Sequence, residues 1–434
     1  MKKYLLLCAV IAATSFLLSC SSSDNDDNLG ESKKVINMLS EAQPVQLTEE
    51  QRVFVNDNNQ FTLNFLKTVN ETDQSGKSFI YSPLSITYVL GMVNDAAEGQ
   101  TEQELEKTLG FHEGGIQAVN DYCKKLINGL PEVDNKVTLN IANAIFLNKD
   151  YILKSQFQQD MKTYYDAKAE ALDFSSSKTL DHINSWCNEK TKGMIPSILD
   201  EVNPLMVSYL LNAIYFKADW TSKFDPKNTK EENFAGKTLP MMHQKVLINY
   251  VNNGIYSAVK IPYGNGYWNM TVMLPEDGKT TDDIISYLST VGFNDVESFC
   301  GTMGGVFMPY EVDLKLPRFE TNSDTDELKM KDGLIGLLKK MGIRLAFDSE
   351  LAQIPNMCDV PVHIAMMRQK AAIKVNEEGS EAAAVTIAGM LKNTVSGPDE
   401  YEYPKATFHA NRPFVYVIRE ASSGVILVVG KFSE

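Results

Sequence analysis

The chain lacks the short motifs that mark common catalytic sites. It has no GxSxG nucleophile elbow, no HExxH zinc motif and no GxxxxGK[ST] phosphate loop. Its five histidines are scattered along 434 residues, and no pair has the spacing of metal ligands. These absences argue against an enzyme, and we expect neither a metal ion nor another cofactor.

Two local patterns resemble functional sites only superficially. Cys358 and His363 are close in sequence, but a nucleophile and its base need spatial alignment, so a buried thiol near a surface histidine is the simpler interpretation. The run Asn322 to Glu327 has the carboxylates of a calcium loop but lacks its sixth-position glycine and its distal glutamate. A helix N-terminus, where carboxylates favour the helix dipole, explains this run better.

Cysteine is sparse, and the sequence has no CxxC pair. Of six cysteines, Cys8 and Cys20 lie in the N-terminal segment. A protein of this size does not need disulfides to be stable. We therefore predict buried free thiols at the remaining positions, with disulfides as the alternative. These positions are Cys123, Cys187, Cys300 and Cys358.

Positive charge is under-represented. The chain has 41 Lys and Arg against 56 Asp and Glu, a formal net charge of −15. Because no long basic stripe is present, nucleic acid is not an expected partner. The acidic surface disfavours anionic membranes and argues against a heparin-like cofactor. With 44% hydrophobic and 22% charged residues, the composition is that of a globular protein with a large core.

The apolar run Tyr4 to Leu18, which follows MKK, is too short for a comfortable membrane span. The next residues, LLSC, end at Cys20 and resemble the lipobox of bacterial lipoproteins, in which the signal is cut before a lipidated cysteine. A plain signal peptide is the alternative. We expect a signal peptide over 1–19, a flexible acidic tether over 20–46 and one domain over 47–434. The protein would then lie at the outer membrane or cell surface, facing either the periplasm or the outside.

Helical periodicity dominates the first half of the chain and strand patterns dominate the second. The predicted helices are Thr48–Val69, one starting at Ser82-Pro83, Thr101–Leu109 with a TEQE capping box, Leu180–Thr191 and about Thr325–Met341. The predicted strands are Val137–Leu147, Tyr209–Lys217 and the runs YSAVKIPY, WNMTVMLP, YEVDLKLP, AAIKV, PFVYVIRE and VILVVGKF. This order predicts an α+β fold with largely antiparallel sheets.

The segment NEEGSEAAAVTIAGMLKNTVSGP, from Asn376 to Pro398, has mixed preferences. Its alanines favour helix, whereas Val385 to Ile387 favour strand. If the segment is extended, the face that carries Ser380 and Thr386 holds only small or apolar residues before Lys392. No proline interrupts the segment between Glu377 and Gly397, so every amide can join a sheet. The segment can be an exposed loop in one state and a central strand in another; a fixed helix or an ordinary loop is the alternative.

The same segment resembles the hinge of the serpins, the serine protease inhibitor family. The matching residues are Glu377, Glu378, Gly379, Ser380, Ala382, Ala383, Ala384, Val385 and Thr386. The resemblance extends over about residues 50–434, through SFIYSPLSI, LGMVNDAAEGQTEQELEKTLG, INSWCNEKTKGMI, LLNAIYFKADWTSKFD, LPRF and the C-terminal NRPFVYVIRE with GVILVVGKF. It implies a serpin fold with three β-sheets, eight or nine helices and an exposed reactive-centre loop at about 377–405.

The resemblance implies an irreversible, suicide-substrate inhibitor of serine and also of cysteine endopeptidases, acting as a monomer. A protease attacks the loop and forms an acyl intermediate, and the cut loop then inserts into the main sheet before the intermediate is hydrolysed. A non-inhibitory serpin-fold binding protein is the alternative. It is disfavoured because non-inhibitory members tend to carry charged or bulky hinge residues.

Hinge spacing puts the scissile bond near Lys392, Asn393 and Thr394. Lys392 suits a trypsin-like pocket, whereas Met390 and Leu391 suit elastase-, chymotrypsin- or subtilisin-like pockets. The stretch after the cut is longer than usual in the family, so both Lys392-Asn393 and Asn393-Thr394 stay open.

Six further positions acquire roles by resemblance only. Ser82, Ser85 and Asn212 would form a polar cluster, the shutter, beneath the central strands. Gln369 stands where the family usually has a histidine, and it cannot titrate. Trp220 would cap the point where the loop enters the sheet, and Arg318 would pair with Glu377. A core role for Trp220 and a solvated position for Arg318 are the alternatives.

Overall fold

The computed structural model describes residues 43–73, 76–112, 114–293, 308–328, 331–380 and 402–433. Within them lie eight α-helices: α1 Glu49–Thr72, α2 Pro83–Ala96, α3 Gly99–Leu109, α4 Gly115–Gly129, α5 Ser155–Tyr165, α6 Lys178–Lys190, α7 Thr281–Val291 and α8 Gly333–Met341. Fifteen strands accompany them: β1 Phe79–Tyr81, β2 Thr138–Asn148, β3 Lys168–Leu172, β4 Ser208–Asp219, β5 Lys230–Phe234, β6 Lys237–Asn252, β7 Tyr256–Tyr263, β8 Trp268–Pro275, β9 Met308–Pro317, β10 Phe319–Asp324, β11 Met367–Val375, β12 Gly379–Ser380, β13 Lys405–His409, β14 Phe414–Glu420 and β15 Ile426–Phe432.

The strands form two hydrogen-bonded networks. One has nine strands in the order β1-β15-β14-β8-β7-β6-β9-β13, with β5 paired to β6; the other has six in the order β10-β11-β12-β4-β2-β3. The three predicted sheets are found as two networks because the long strand β6 pairs with β9 over Met241–Tyr250 and with β7 over Asn249–Asn252. The predicted α+β class is confirmed.

Helix α1 shows how the sequence produces these elements. Thr48 caps it through a hydrogen bond from the Gln51 amide, while the Gln51 side chain accepts from the Thr48 amide. Its apolar stripe, including Phe54, Phe61 and Phe65, is buried in the main core. At about 25 cal/mol per Å² of apolar surface, this burial supplies most of the helix's stability.

Two predicted helix boundaries are wrong. Helix α3 begins at Gly99 rather than Thr101, because the capping-box residues bond elsewhere: Thr101 accepts from the Gln353 amide, and Glu104 accepts from the Arg344 and Leu345 amides. The helix predicted over Thr325–Met341 is broken. Its start is a short 3-10 turn over Thr325–Glu327, and α8 begins only at Gly333, after Asp332 with φ +67°.

The run Asn322 to Glu327 is therefore not the start of a long helix. Its first three residues end strand β10, and the Asp324 carboxylate accepts from the Asp326 amide to cap the 3-10 turn. Arg368 of β11 binds the same carboxylate through Nε at 2.9 Å. The carboxylates thus serve a turn and a buried ion pair rather than a helix dipole.

The N-terminal part of the described chain packs against the domain earlier than predicted. Val45, which the prediction assigned to the tether, is buried, and its amide donates to Ser422 Oγ at 3.0 Å. Its methyl groups lie against Gly129 at the end of α4. Residues 1–42 lie outside the described chain.

The cysteines of the described chain are free and buried, as predicted for Cys123, Cys187 and Cys358. Burial raises the pKa of both the Cys123 and the Cys187 thiols to about 12, so both are inert. Cys300 lies outside the described residues. Across those residues no helix is long and apolar enough to cross a membrane.

Candidate functional site: a hinge seated in the six-stranded sheet

The hinge turns back on itself directly after β11. The Asn376 amide donates to the Gly379 carbonyl at 2.9 Å, and Asn376 Oδ1 accepts from the amides of Glu378 and Gly379. Asparagine suits this role because its side chain mimics the backbone in tight turns. The turn sends the chain antiparallel to β11, back into the sheet.

The next two residues form strand β12 between β4 and β11. Gly379 pairs with Asp219, and Ser380 pairs with both Ala218 and Val375. Both pairings are antiparallel. The first residues of the hinge are thus already a strand of the sheet in the uncut chain.

Farther along, β4 and β11 pair directly with each other. This parallel pairing joins Leu210–Ala213 to Met367–Lys370. The two strands therefore meet at one end and are held apart by β12 at the other. The seam between them is where a strand continuing from Ser380 would have to pass.

Gly379 allows the close approach that seats β12. A Cβ atom at this position would overlap the carbonyl oxygen of Ala218 and lie 2.7 Å from the Asp219 Cα. Any side chain would push the hinge away from β4. The glycine is therefore required by the packing of β12 as well as by backbone freedom.

Ser380 is fully buried, and its Oγ lies 2.6 Å from the Oη of Tyr263 at the end of β7. Either hydroxyl can donate. Burial raises the pKa of Tyr263, while the hydrogen bond with Ser380 works the other way, so the phenol stays protonated. Trp220 stacks on the Tyr263 ring, with centroids 4.3 Å apart and planes 11° apart.

Both hinge glutamates have basic partners. The structure brings Glu377 and Arg318 together, as the resemblance implied, with Arg318 Nε 2.8 and 2.7 Å from the two carboxylate oxygens. Thr229 also donates to Glu377. Burial opposes ionisation of Glu377, but the hydrogen bonds from Arg318 and Thr229 lower its pKa overall.

The second glutamate, Glu378, is bound by Lys223, whose Nζ lies 2.5 Å from it and 2.8 Å from the Asp219 carboxylate. Burial lowers the pKa of Lys223, but its two carboxylate partners more than offset this and raise it. The lysine therefore bridges the end of β4 and the hinge.

Trp220 lies at the point where the hinge enters the sheet. It is buried, its amide donates to the Glu378 carbonyl at 2.8 Å and its indole Nε1 donates to the Asn376 carbonyl at 2.9 Å. The Phe224 amide donates to the Glu377 carbonyl at 3.0 Å. The connection after β4 thus fixes the backbone of the hinge turn from one side.

The shutter residues fall into two groups. Gln369 binds the backbone of Ser82 with both ends of its amide, at 3.0 and 2.9 Å, and Ser82 Oγ lies 3.2 Å from Ser85 Oγ. Asn212 donates instead to Asn143 at 2.8 Å. Although Asn212 and Gln369 are register partners, no hydrogen bond joins their side chains in the described structure.

Asn212 Oδ1 is buried and has no hydrogen-bond partner among the described residues. A small, partly open cavity of about 10 Å³ is bordered by Asn212 and Gln369. The seam therefore holds an unsatisfied acceptor at the position where β4 and β11 are in direct contact.

Several predicted site residues lie outside the described chain. They are Cys20, Ala382, Ala383, Ala384, Val385, Thr386, Lys392, Asn393 and Thr394. In the part that is described, no group of three or more His, Cys, Asp or Glu side chains is arranged to hold a metal ion.

Sequence reasoning missed four side chains that hold the hinge. Asn376 could have been found, because it directly precedes Glu377 and is a turn former. Lys223 and Thr229 carry no local signal that distinguishes them from other surface residues. Tyr263 is more than a hundred positions from Ser380, so only the packing of β7 behind the sheet reveals the contact.

The family profile described as "Serpin (serine protease inhibitor)" matches residues 56–434. The chain belongs to the serpin family. Serpins are mostly protease inhibitors rather than enzymes. This serpin is 30% identical over 390 residues to a leukocyte elastase inhibitor of Xenopus tropicalis, over 86% of this chain and 97% of that protein.

Two solved serpin structures are similar in fold. Native tengpin, a thermophilic serpin, matches with a TM-score of 0.75 and 25% identity over 92% of this chain and 98% of its own. Thyroxine-binding globulin in complex with thyroxine matches with a TM-score of 0.72 and 26% identity, over 87% and 98%. The second similarity shows that a chain with this fold can bind a small molecule.

Proposed function

We propose that this serpin is an irreversible suicide-substrate inhibitor of serine endopeptidases, and of cysteine endopeptidases that form the same kind of acyl intermediate. The observation that carries the proposal is strand β12, which starts a new central strand between β4 and β11 in the uncut chain. A protease that cuts the loop beyond β12 frees the rest of the segment to follow it.

The register of β12 supports a specific inserted strand. Ser380 pairs with Ala218 and Val375, so continuing the pairing six residues would bring Thr386 between Asn212 and Gln369. The Thr386 hydroxyl could then donate to the unpartnered Asn212 Oδ1. Insertion would thus satisfy an acceptor that the uncut chain leaves without a partner among its described residues.

The energetics favour insertion once the loop is cut. Successive inserted residues would hydrogen-bond alternately to β4 and to β11, in place of the short direct pairing of those two strands. A few hundred Å² of apolar burial would be worth several kcal/mol at ~25 cal/mol per Å². About 14 residues from Ser380 to the scissile region, at ~3.3 Å each, would carry the bound protease ~46 Å. This displacement would pull the acyl-enzyme out of its working geometry before hydrolysis.

We propose trypsin-, elastase- or subtilisin-like proteases as targets, because the scissile region carries Lys392 next to Met390 and Leu391. The cut would fall at Lys392-Asn393 or Asn393-Thr394. The inhibitor would act as a monomer.

We also propose that the protein is an exported bacterial lipoprotein, held by lipid on Cys20 at the outer membrane or cell surface. The support is the LLSC sequence at the end of the N-terminal apolar run. Labelling with a radioactive fatty acid tests it: the wild type should be labelled and Cys20→Ala should not. Label retained by Cys20→Ala would overturn the proposal.

The test of inhibition is to mix the protein with trypsin, elastase and subtilisin and to look for SDS-stable complexes. We expect a complex with at least one protease, and mass spectrometry should place the cut between Met390 and Val395. A matched control is Thr386→Arg, which keeps the scissile region but puts a charge where the inserted strand would meet the seam. This variant should be cut without forming a complex.

Cleavage of the wild type without a complex would overturn inhibition and favour a binding role, as in thyroxine-binding globulin. A cut outside Met390 to Val395 would overturn the proposed scissile region but not the mechanism.

A further inference from the structure

A buried hydrogen bond joins the start of β12 to the nine-stranded network, between Tyr263 Oη and Ser380 Oγ. Ser380 is the last described residue before the loop, and it is fully buried. Its partner comes from β7, a strand of the nine-stranded network, whereas β12 belongs to the six-stranded one.

We propose that Tyr263 is a positioning residue of the inhibitory reaction: its hydroxyl keeps Ser380 seated between β4 and β11 in the uncut chain, so that insertion starts from a formed strand. The inference rests on the proposed function and adds a control over its efficiency. Tyr263 would affect the rate of loop insertion relative to the rate at which the acyl intermediate is hydrolysed.

The surroundings of Tyr263 make departure of Ser380 unfavourable. Trp220 stacks on one face of the ring, and Phe216 packs edge-on with centroids 5.5 Å apart. If Ser380 left the sheet, its own hydroxyl would reach water, whereas the phenol would stay buried among aromatic rings without its partner. An unpaired buried hydroxyl is costly, so the pair favours the seated hinge.

The other contacts of the hinge turn hold residues before Ser380, so the hydrogen bond to Tyr263 is the side-chain contact that holds Ser380 itself. The bonds from Trp220, Phe224 and Lys223 all hold Asn376, Glu377 or Glu378, upstream of β12. At Ser380 the only side-chain hydrogen bond within the described structure is the one to Tyr263. Loss of this bond would leave the turn in place and leave Ser380 held only by its backbone pairing with Ala218 and Val375.

The expected consequence is a change in the fraction of acyl intermediates that are trapped by insertion rather than hydrolysed. With the hinge seated, a cut loop extends an existing strand; with the hinge released, it must first form the strand at the seam. Nucleation is the slow part of ordering a chain segment, so a released hinge gives the acyl intermediate more time to hydrolyse. More inhibitor molecules would then be consumed as substrate for each protease trapped.

The test compares Tyr263→Phe, Ser380→Ala and the double variant with the wild type. Tyr263→Phe keeps the ring and its stacking and removes only the hydroxyl. The measured quantity is the number of inhibitor molecules consumed per protease inactivated, together with the rate of loop cleavage. We expect each single variant to raise this number roughly two- to tenfold, as for the loss of one net hydrogen bond, with no decrease in cleavage rate. The double variant should be no worse than either single one.

Tyr122→Phe is the matched control. Tyr122 is also fully buried in an aromatic cluster, with Phe54 and Phe111, but its hydroxyl has no hydrogen-bond partner among the described residues. It should leave the partition unchanged. An unchanged partition in both Tyr263→Phe and Ser380→Ala, or additive effects in the double variant, would overturn the role of Tyr263.

A second readout needs no protease. Hydrogen exchange of the Ser380 amide in the uncut chain should be faster in Tyr263→Phe than in the wild type and in Tyr122→Phe. If no protease forms a complex with the wild type but this exchange difference is found, inhibition fails and the seating role stands. If complexes form and the exchange is unchanged, the seating role fails alone.

Discussion

Glu377 is the more deeply buried of the two charged hinge glutamates. Its side chain is 6% exposed and is bound by Arg318 and Thr229. We predict that Glu377→Gln lowers the free energy of unfolding by about 1–2 kcal/mol at pH 7, because Arg318 loses a charged partner. Urea unfolding of the variant and the wild type measures this difference.

The pH dependence of that loss follows from the lowered pKa of Glu377. A carboxyl with a lowered folded-state pKa stabilises above its unfolded pKa of about 4.5, and this contribution is lost as the pH falls through the folded-state value. The difference between Glu377→Gln and the wild type should therefore shrink towards pH 3. A loss of equal size at pH 7 and pH 3 would contradict an ionic role. Glu320→Gln, which breaks the exposed pair with Lys374, is the control and should change little.

Asp95 lies at the end of α2, and replacing its carboxyl by an amide is expected to stabilise the fold at neutral pH, whereas Glu377→Gln destabilises it. Burial raises its pKa to about 6 and the charge of Asp160 adds to this, although the hydrogen bond from Asn120 lowers it. Because the folded-state pKa exceeds the unfolded value of 3.8, stability is lost as the pH rises through this interval. Asp95→Asn should therefore raise the free energy of unfolding by about 1–2 kcal/mol at pH 7.5, after allowance for partial solvent screening.

The measurement is denaturant unfolding of Asp95→Asn at pH 7.5 and at pH 4, where the gain should vanish. Asp173→Asn is the matched control, since Asp173 is an exposed carboxylate with a lowered pKa that pairs with Lys149. A stabilisation that is the same at both pH values would show that charge is not its cause.

Strand β13 follows the loop directly and lies at the edge of the nine-stranded sheet. Its His409 and the His243 of β6 flank Asp313 of β9, at 3.6 and 2.6 Å. Two lysines are also close in the register: Lys245, directly opposite Asp313, and Lys315, two residues farther along β9. Burial opposes ionisation of Asp313, but the hydrogen bond and charge of His243 and the charge of His409 lower its pKa overall.

We predict that Asp313→Asn loosens β13 at pH 7. Amide exchange of Lys405–His409 should be faster by about two- to fivefold, as expected for the loss of a cross-strand pair. Since the lowered pKa of Asp313 means that its contribution is lost only below about pH 4, the effect should persist at pH 5.5. His182→Gln, which breaks a similar pair with Glu170 in the other sheet, should leave β13 unchanged.

The elements that sequence patterns located well are those with a strong period or a local cap. Helix α1, with its Thr48 cap, and the buried strand β4 are two such cases. The start of α3 could not be found this way, because Thr101 and Glu104 bond to residues about 240 or more positions away. Strand β12 has only two residues and no period of its own; it exists because β4 and β11 hold it from both sides.

In the candidate site, too, some residues could be found from the sequence and others only from the packing. Family resemblance brought forward Glu377, Arg318 and Trp220, which the structure gathers around the hinge turn. It grouped Asn212 with the serines of the shutter, whereas the Asn212 amide bonds to Asn143. The partners of Ser380 and Glu378 depend on the packing of β7 and of the connection after β4, and no sequence pattern encodes that packing.

For the whole molecule, the proposed insertion between β4 and β11 would make the uncut chain less stable than the cut one. We predict that cleavage within Met390 to Val395 raises the melting temperature by about 10 °C or more, because several kcal/mol of new burial and hydrogen bonding become available. Calorimetry of the uncut and cut protein measures the shift. Thr386→Arg, cut at the same bond, should show little or none, and an unchanged melting temperature of the cut wild type would contradict insertion.

Because Val45 is attached to the domain, a molecule anchored by lipid could extend only a limited distance from the membrane. If lipid holds Cys20, only two dozen residues separate the bilayer from the first fixed point of the fold. If the predicted tether is a flexible coil, its root-mean-square reach would be about 25–30 Å. Such an inhibitor would react only with proteases that come close to its own membrane, and proteases farther away would not be inhibited.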